Sequence, residues 1–241
     1  MEVVIVPDAR SGGELIAEAM AQLLRRKPDA LLGVATGSTP LPIYQALAAR
    51  VRAGAVDTGR ARIAQLDEYV GLPAEHPESY RSVLRREVLE PLGIGMEAFL
   101  GPDGTAADVQ AACEAYDRAL AAAGGVDLQL LGIGTDGHIG FNEPCSSLAS
   151  RTRIKTLTEQ TRVDNARFFG GTSSRFRTTS SPRASGRSWR RGIWCCWPPG
   201  RVRRTRSRRR WRGRWRRCVR PRRCSCIRMR RLSSTRVRRP S

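Results

Sequence analysis

Short apolar runs alternate with longer stretches of helical spacing through about the first 170 residues. Val3-Val-Ile-Val6, Ala30-Leu-Leu-Gly-Val-Ala35, Arg62-Ile-Ala-Gln-Leu66 and Val126-Asp-Leu-Gln-Leu-Leu131 read as buried strands. Between them, Ser11 is placed to cap a helix reaching about Arg26, with Glu14 three residues on, and Pro40 suits the first turn of a helix from Leu41 to about Val51. Pro77 to Leu89 reads as helical, with Arg85, Arg86 and Glu87 on its outer side. Thr105 is read as the cap of a helix ending at Ala123, with Asp108 at the capping-box position and Gly124 past its end. This alternation predicts an α/β fold: an open, mostly parallel sheet with helices on both faces.

Charge breaks the chain into two kinds of sequence near Gly171. Residues 1–171 hold 17 Lys and Arg against all 22 Asp and Glu, a net of −5, whereas residues 172–241 hold 26 Arg and no Lys, Asp or Glu. The overall charge of +21 therefore belongs to the tail. The first part is long enough for one domain with its own core. It lacks an apolar run of membrane-spanning length and a signal-peptide pattern, so a cytoplasmic place is expected. Its two cysteines, Cys113 and Cys145, are too few for a disulfide framework and read as packing residues. The domain division expected is residues 1–171, incomplete at its carboxyl end, and a tail 172–241 without a packed core.

All five tryptophans and five of the seven cysteines lie in that tail. An arginine arm with interleaved Trp would bind nucleic acid non-specifically through phosphates and stacked bases. Zinc is poorly served, since Cys195, Cys196, Cys218, Cys224 and Cys226 form no C-x-x-C pair and no His accompanies them. A third reading explains more: alanine codons of a GC-rich gene, read one base late, become arginine and proline codons, and Lys, Asp and Glu vanish together. We favour this shifted frame.

Three loops carry candidate chemistry. Thr36-Gly-Ser-Thr-Pro40 lies between a strand and a helix, where free amides and the helix dipole suit an anion; Gly37, Ser38 and Thr39 form the cradle, and the alternative is a plain N-cap turn. Asp67-Glu68 follows the third strand and reads as a catalytic carboxylate, the alternative being a helix cap or a solvated acid. Gly132-Ile-Gly-Thr-Asp-Gly-His-Ile-Gly-Phe-Asn-Glu-Pro144 gathers Asp136, His138 and Glu143 after the strand ending at Leu131. Carboxylates near an imidazole fix its tautomer for proton transfer near neutral pH. A metal site is the competing reading, unsupported by spacing or a further His, and an ordinary loop histidine is the third. All three loops fall at the carboxyl ends of strands, where open α/β sheets bind ligands. His76, in Glu75-His-Pro-Glu78, reads as part of a surface turn.

Taken with Leu66-Asp-Glu-Tyr-Val-Gly-Leu-Pro73, Glu75-His-Pro-Glu-Ser-Tyr80, Ser146-Ser-Leu-Ala-Ser-Arg-Thr-Arg-Ile-Lys-Thr-Leu-Thr158 and Thr161-Arg-Val-Asp-Asn-Ala-Arg-Phe-Phe169, these loops resemble the glucosamine-6-phosphate deaminase (isomerase) family. Sugar-lactone hydrolases of the same fold share the Gly-Ser-Thr-Pro turn and the Asp-Gly-His loop, and form the alternative. The resemblance implies conversion of D-glucosamine 6-phosphate and water to fructose 6-phosphate and ammonia without metal or cofactor. It implies that His138 opens the sugar ring with support from Asp136 and Glu143, that Asp67 moves a proton from C2 to C1, and that Ser38, Thr39 and Arg167 hold the phosphate. It further implies an effector site for N-acetylglucosamine 6-phosphate at Ser146, Arg153, Lys155 and Thr156, and a homo-oligomer in intact relatives. Beyond Phe169 the resemblance stops, and a Gly-Glu-x-Lys-like segment whose lysine binds phosphate is absent. The chain as written is expected to be weakly active or inactive.

Overall fold

The computed structural model describes residues 3–133, 139–140, 151–156, 177–180 and 193–197. The chain forms two compact units, residues 7–201 and a second made of residues 1–6 with 202–241. Of the latter, Val3–Val6 forms no strand, which corrects the expectation from its β-branched run. A strand needs a hydrogen-bonded neighbour; neither sheet among the described residues includes this segment, and Val3 and Ile5 are exposed.

In the larger unit, strands β1 (Leu31–Val34), β2 (Arg62–Gln65), β4 (Phe99–Leu100), β5 (Leu128–Gly132) and β8 (Ile193–Trp197) make a parallel sheet in the order β4-β2-β1-β5-β8. The four central residues of β1 are all buried, as expected of a strand covered on both faces. Alternate residues face opposite layers. Leu32, Val34, Ile63, Leu128 and Leu130 pack with helices α1 (Ala9–Arg26), α2 (Leu41–Arg52) and the helical stretch around Leu84–Leu92. Leu31, Ala64, Leu66 and Leu131 pack with Tyr116 and Leu120 of α5 (Val109–Ala122). The expected layering of helices on both faces is therefore present.

A second sheet departs from the sequence reading. Asp67–Val70 is not the loop after β2 but a strand, β3, joined antiparallel through β7 (Arg177–Ser180) to β6 (Arg153–Thr156). Tyr69 and Val70 supply the β-prone residues, while Leu66 makes the break between β2 and β3.

Two helix starts also differ. The cap of α1 is Asp8, whose carboxylate accepts from the Ser11 amide, and that of α5 is Asp108, which accepts from the Ala111 amide. Each sequence window holds two eligible acceptors three residues apart. Thr105 is diverted because its amide and hydroxyl both donate to Asp103, leaving Asp108 to cap. The stretch read as one helix from Pro77 is instead α3 (Tyr80–Leu84), a π-helical turn Arg85–Leu89 and the short α4 (Glu90–Leu92), closed by Gly93 at φ +67°. Cys113 is buried, as the packing reading requires.

Candidate active site

Tyr44 of α2 fixes the end of β1: its hydroxyl donates to the Ala35 carbonyl at 2.6 Å and accepts from the Ala35 amide at 3.0 Å. The chain then turns through Gly37, whose φ of +100° suits a residue without Cβ. Gly37 and Ser38 are exposed and Thr39 half-buried at the start of α2, which begins with Pro40 as cap and has no side-chain capping bond. The turn thus stands open at the positive end of a 12-residue helix, a position that favours an anion.

Asp67 opens β3 and is buried with 7% exposure. Gln65 holds its backbone, donating from Nε2 to the Asp67 carbonyl at 2.6 Å. Its charge acts on three tyrosines, raising the hydroxyl pKa of Tyr69, Tyr80 and Tyr116 after the larger effect of burial on each. The Tyr69 and Tyr80 hydroxyls lie 3.1 Å apart with their rings 4.8 Å between centroids. An interaction with the Thr36 side chain also pulls the Tyr80 hydroxyl pKa down, which sets this phenol between the Thr36–Pro40 turn and β3.

Glu68 points into the structure rather than into solvent. Its carboxylate accepts from Gln65 Nε2 at 2.9 Å and from the amides of Tyr69, Tyr80 and Arg81 at 2.9, 3.0 and 2.9 Å. The last two are the first free amides of α3, whose cap is Ser79, accepting from the Ser82 amide at 3.1 Å; Glu68, from the neighbouring strand, accepts the amides that the cap leaves over. Gly104 presses on the same strand: a Cβ there would come within 2.1 Å of the Tyr69 carbonyl oxygen.

The Asp136 loop enters from β5. Ile133 and Ile139, on either side of it, pair in an antiparallel bridge, and Ile139 packs on the Leu66 layer. Gly140, at φ +59°, lies so close to Asp67 that a Cβ would sit 3.4 Å from Asp67 Oδ2 and 2.9 Å from Leu66 Cδ2. Asp136, His138, Glu143, Ser146 and Arg167 lie outside the described residues. Of the other proposed effector residues, Arg153 and Lys155 are half-buried on β6 and Thr156 ends it. Arg153 and Asp67 both register with Ser180, two strands apart, or about 10 Å at the usual strand spacing. Burial pulls the Arg153 guanidinium pKa down. His76 accepts the Glu78 amide at 3.1 Å in a turn, as read from the sequence.

The structure therefore brings Asp67, the Thr36–Pro40 turn and Gly140 to one rim. What sequence reading missed is the tyrosine frame of Tyr69, Tyr80 and Tyr116, the last donating to the Gln65 carbonyl. Four scattered tyrosines, with Tyr44, carried no periodic signal by which to group them.

That frame has a pH signature. Burial pushes the Tyr69 hydroxyl from 10.0 up to about 12, so folding favours the neutral phenol. The resulting stabilisation is complete below pH 10 and is lost as pH rises from 10 through 12. Melting followed by circular dichroism should fall steeply over that window, and Tyr69→Phe should flatten the fall. An unchanged slope in the variant would show that Tyr69 ionisation does not drive it.

An open parallel sheet with helices on both faces, and with a glycine turn and a buried carboxylate at the carboxyl ends of neighbouring strands, defines a class, the doubly wound α/β folds, whose ligands lie along that rim. The family model described as glucosamine-6-phosphate isomerases/6-phosphogluconolactonase matches residues 9–154. The glucosamine-6-phosphate deaminase of Streptomyces coelicolor is 90% identical over 171 residues, covering 71% of this chain and 66% of that protein. The deaminase of Beutenbergia cavernae is 64% identical over the same length and with the same coverage of each chain. Among solved structures, a monomeric glucosamine-6-phosphate deaminase is 34% identical with a TM-score of 0.72, covering 76% of this chain and 77% of that one. The 6-phosphogluconolactonase of Thermotoga maritima, at 22% identity and a TM-score of 0.59 over 76% and 77%, shares the fold. The chain belongs to the glucosamine-6-phosphate isomerase/6-phosphogluconolactonase family. It spans just under two thirds of the length of the curated relatives it matches.

Proposed function

We propose that the site converts D-glucosamine 6-phosphate and water to D-fructose 6-phosphate and ammonia. The observation that carries this reading is the close approach of Gly140, two residues after His138 in the chain, to the buried Asp67 carboxylate. Identity of 90–91% to two deaminases favours it over lactone hydrolysis. His138, supported by Asp136 and Glu143, takes the proton from the C1 hydroxyl and delivers it to the ring oxygen as the C1–O5 bond breaks, opening the pyranose to the aldehyde. Asp67 removes the proton on C2 and returns it to C1, which gives the enolamine and then the ketimine; water adds at C2 and ammonia departs. A carboxylate suits this work when the substrate is held still and water is kept out, and the surrounding phenols exclude water here. Gly37, Ser38 and Thr39 receive the phosphate with Arg167.

Ser146, Arg153, Lys155 and Thr156 form the effector site for N-acetylglucosamine 6-phosphate, and homo-oligomerisation belongs to this reading. Residues 172–241 bind nucleic acid only non-specifically. Among the described residues no helix is long and apolar enough to cross a membrane, and the substrate's chemistry places the enzyme in the cytoplasm. Ammonia release from glucosamine 6-phosphate tests the reaction. Opening of 6-phosphogluconolactone without ammonia release would replace this reading by the lactonase one.

A further inference from the structure

We infer that residues 172–241 are the translation, one nucleotide out of frame, of the coding segment that completes the parallel sheet, and that the neighbouring frame encodes an aliphatic strand where β8 now stands. The inference rests on the tail's residue types and on strand register, independently of the reaction proposed above.

The genetic code constrains the neighbouring frame tightly. Trp is TGG and Cys is TGT or TGC, so both begin with TG. A frame starting one nucleotide earlier reads each as NTG, which is Leu, Met or Val whatever the preceding base. All ten tail positions concerned become aliphatic or Met: Trp189, Trp194, Trp197, Trp211, Trp215 and the five cysteines from Cys195 to Cys226. The anomaly of a tail that hoards Trp and Cys thus turns into an ordinary supply of core residues. Arginine resolves as well. AGA and AGG yield Glu, Lys, Gln or the stop TAG in that frame, and the CGN codons yield Ala, Thr, Ser or Pro, so an open frame returns acids and lysines together.

Between Ile193 and Pro198 almost no freedom remains. The codons ATH-TGG-TGY-TGY-TGG-CCN, read one nucleotide earlier, give Leu or Met, then Val, Leu, Leu and Ala at positions 194–198. β8 lies parallel to β5, with Trp194, Cys195, Cys196 and Trp197 in register with Gln129, Leu130, Leu131 and Gly132. Residues 128–131 of β5 are buried, and a parallel strand covered on both faces is built from such a continuous aliphatic run. The restored residues fall on the strand that the sheet's own register calls for. The opposite frame fits worse, because it converts every Trp into Gly. Gly200-Arg201-Val202-Arg203, just after the strand, admits Gly-Glu-Gly-Lys in the favoured frame, a return of the acid and lysine that the tail as written lacks. Both Streptomyces relatives match over 171 residues, the length of the chain that precedes the change of composition.

The test is the gene sequence through this stretch, followed by expression of the full chain as written and of a version returned to the neighbouring frame by one nucleotide at codons 168–174. The neighbouring frame is expected to be open across all the tail codons, and the returned chain to melt cooperatively about 10 °C or more above the chain as written. Trypsin should remove the tail of the latter and spare that of the former. A stop codon inside that frame, or a returned chain that melts no higher and loses its tail as readily, would overturn the inference.

Discussion

Asp67→Asn in the chain returned to frame should lower turnover of glucosamine 6-phosphate by about 10²–10⁴-fold, the usual contribution of a positioned general base. The amide keeps the volume and one carbonyl oxygen of the carboxylate, so β3 and its pairing should persist. What disappears is the lone pair basic enough to take a carbon-bound proton. Because Asp67 is buried among Tyr69, Tyr80 and Tyr116, whose neutral form its charge favours, no solvent-borne base has ready access to the same point. KM should change little, since the turn proposed to hold the phosphate is built from other residues. Ammonia release and the melting temperature, measured together, separate loss of chemistry from loss of fold; unchanged turnover would remove Asp67 from the mechanism.

Glu68→Ala should act on stability instead, and strongly. Its carboxylate accepts from three backbone amides and the Gln65 side chain, at 4% exposure. Truncation leaves those donors buried without an acceptor, at about 1–3 kcal/mol for each one that water cannot reach. Counting two such donors gives about 4 kcal/mol, a fall of about 10 °C in melting temperature for a domain of this size. Glu68→Gln retains one accepting oxygen and should recover part of the loss. A fall in Glu68→Ala of only a degree or two would mean that β3 and α3 are held together by other contacts.

The neighbouring acids Asp67 and Glu68 show what the sequence makes legible and what it does not. Strand alternation puts consecutive side chains on opposite sides, but only the paired strand itself decides which acid meets α3. The sequence reading took the pair as a loop because β2 had just ended, and no local pattern announces a second sheet whose other strands come from residues 153–156 and 177–180. β1, α2 and β5 were legible because their apolar positions answer to a period and are bounded by Gly, Pro or polar caps. Val3–Val6 has the composition of a strand, but pairing is a tertiary event. The Thr36–Pro40 turn was legible as a turn from its place between a strand and a helix. Its approach to Tyr80 was not, since that interaction joins residues 44 positions apart. The π-helical turn at Arg85–Leu89 likewise has no local composition to mark it.

The most direct measurement uses glucosamine 6-phosphate carrying deuterium at C2, with the chain returned to frame. Removal of that hydrogen by Asp67 predicts slower turnover of the labelled sugar, ammonia released in step with fructose 6-phosphate, and part of the deuterium at C1 of the product. Labelled sugar recovered with its nitrogen and deuterium in place, by a folded protein that opens 6-phosphogluconolactone instead, would contradict it.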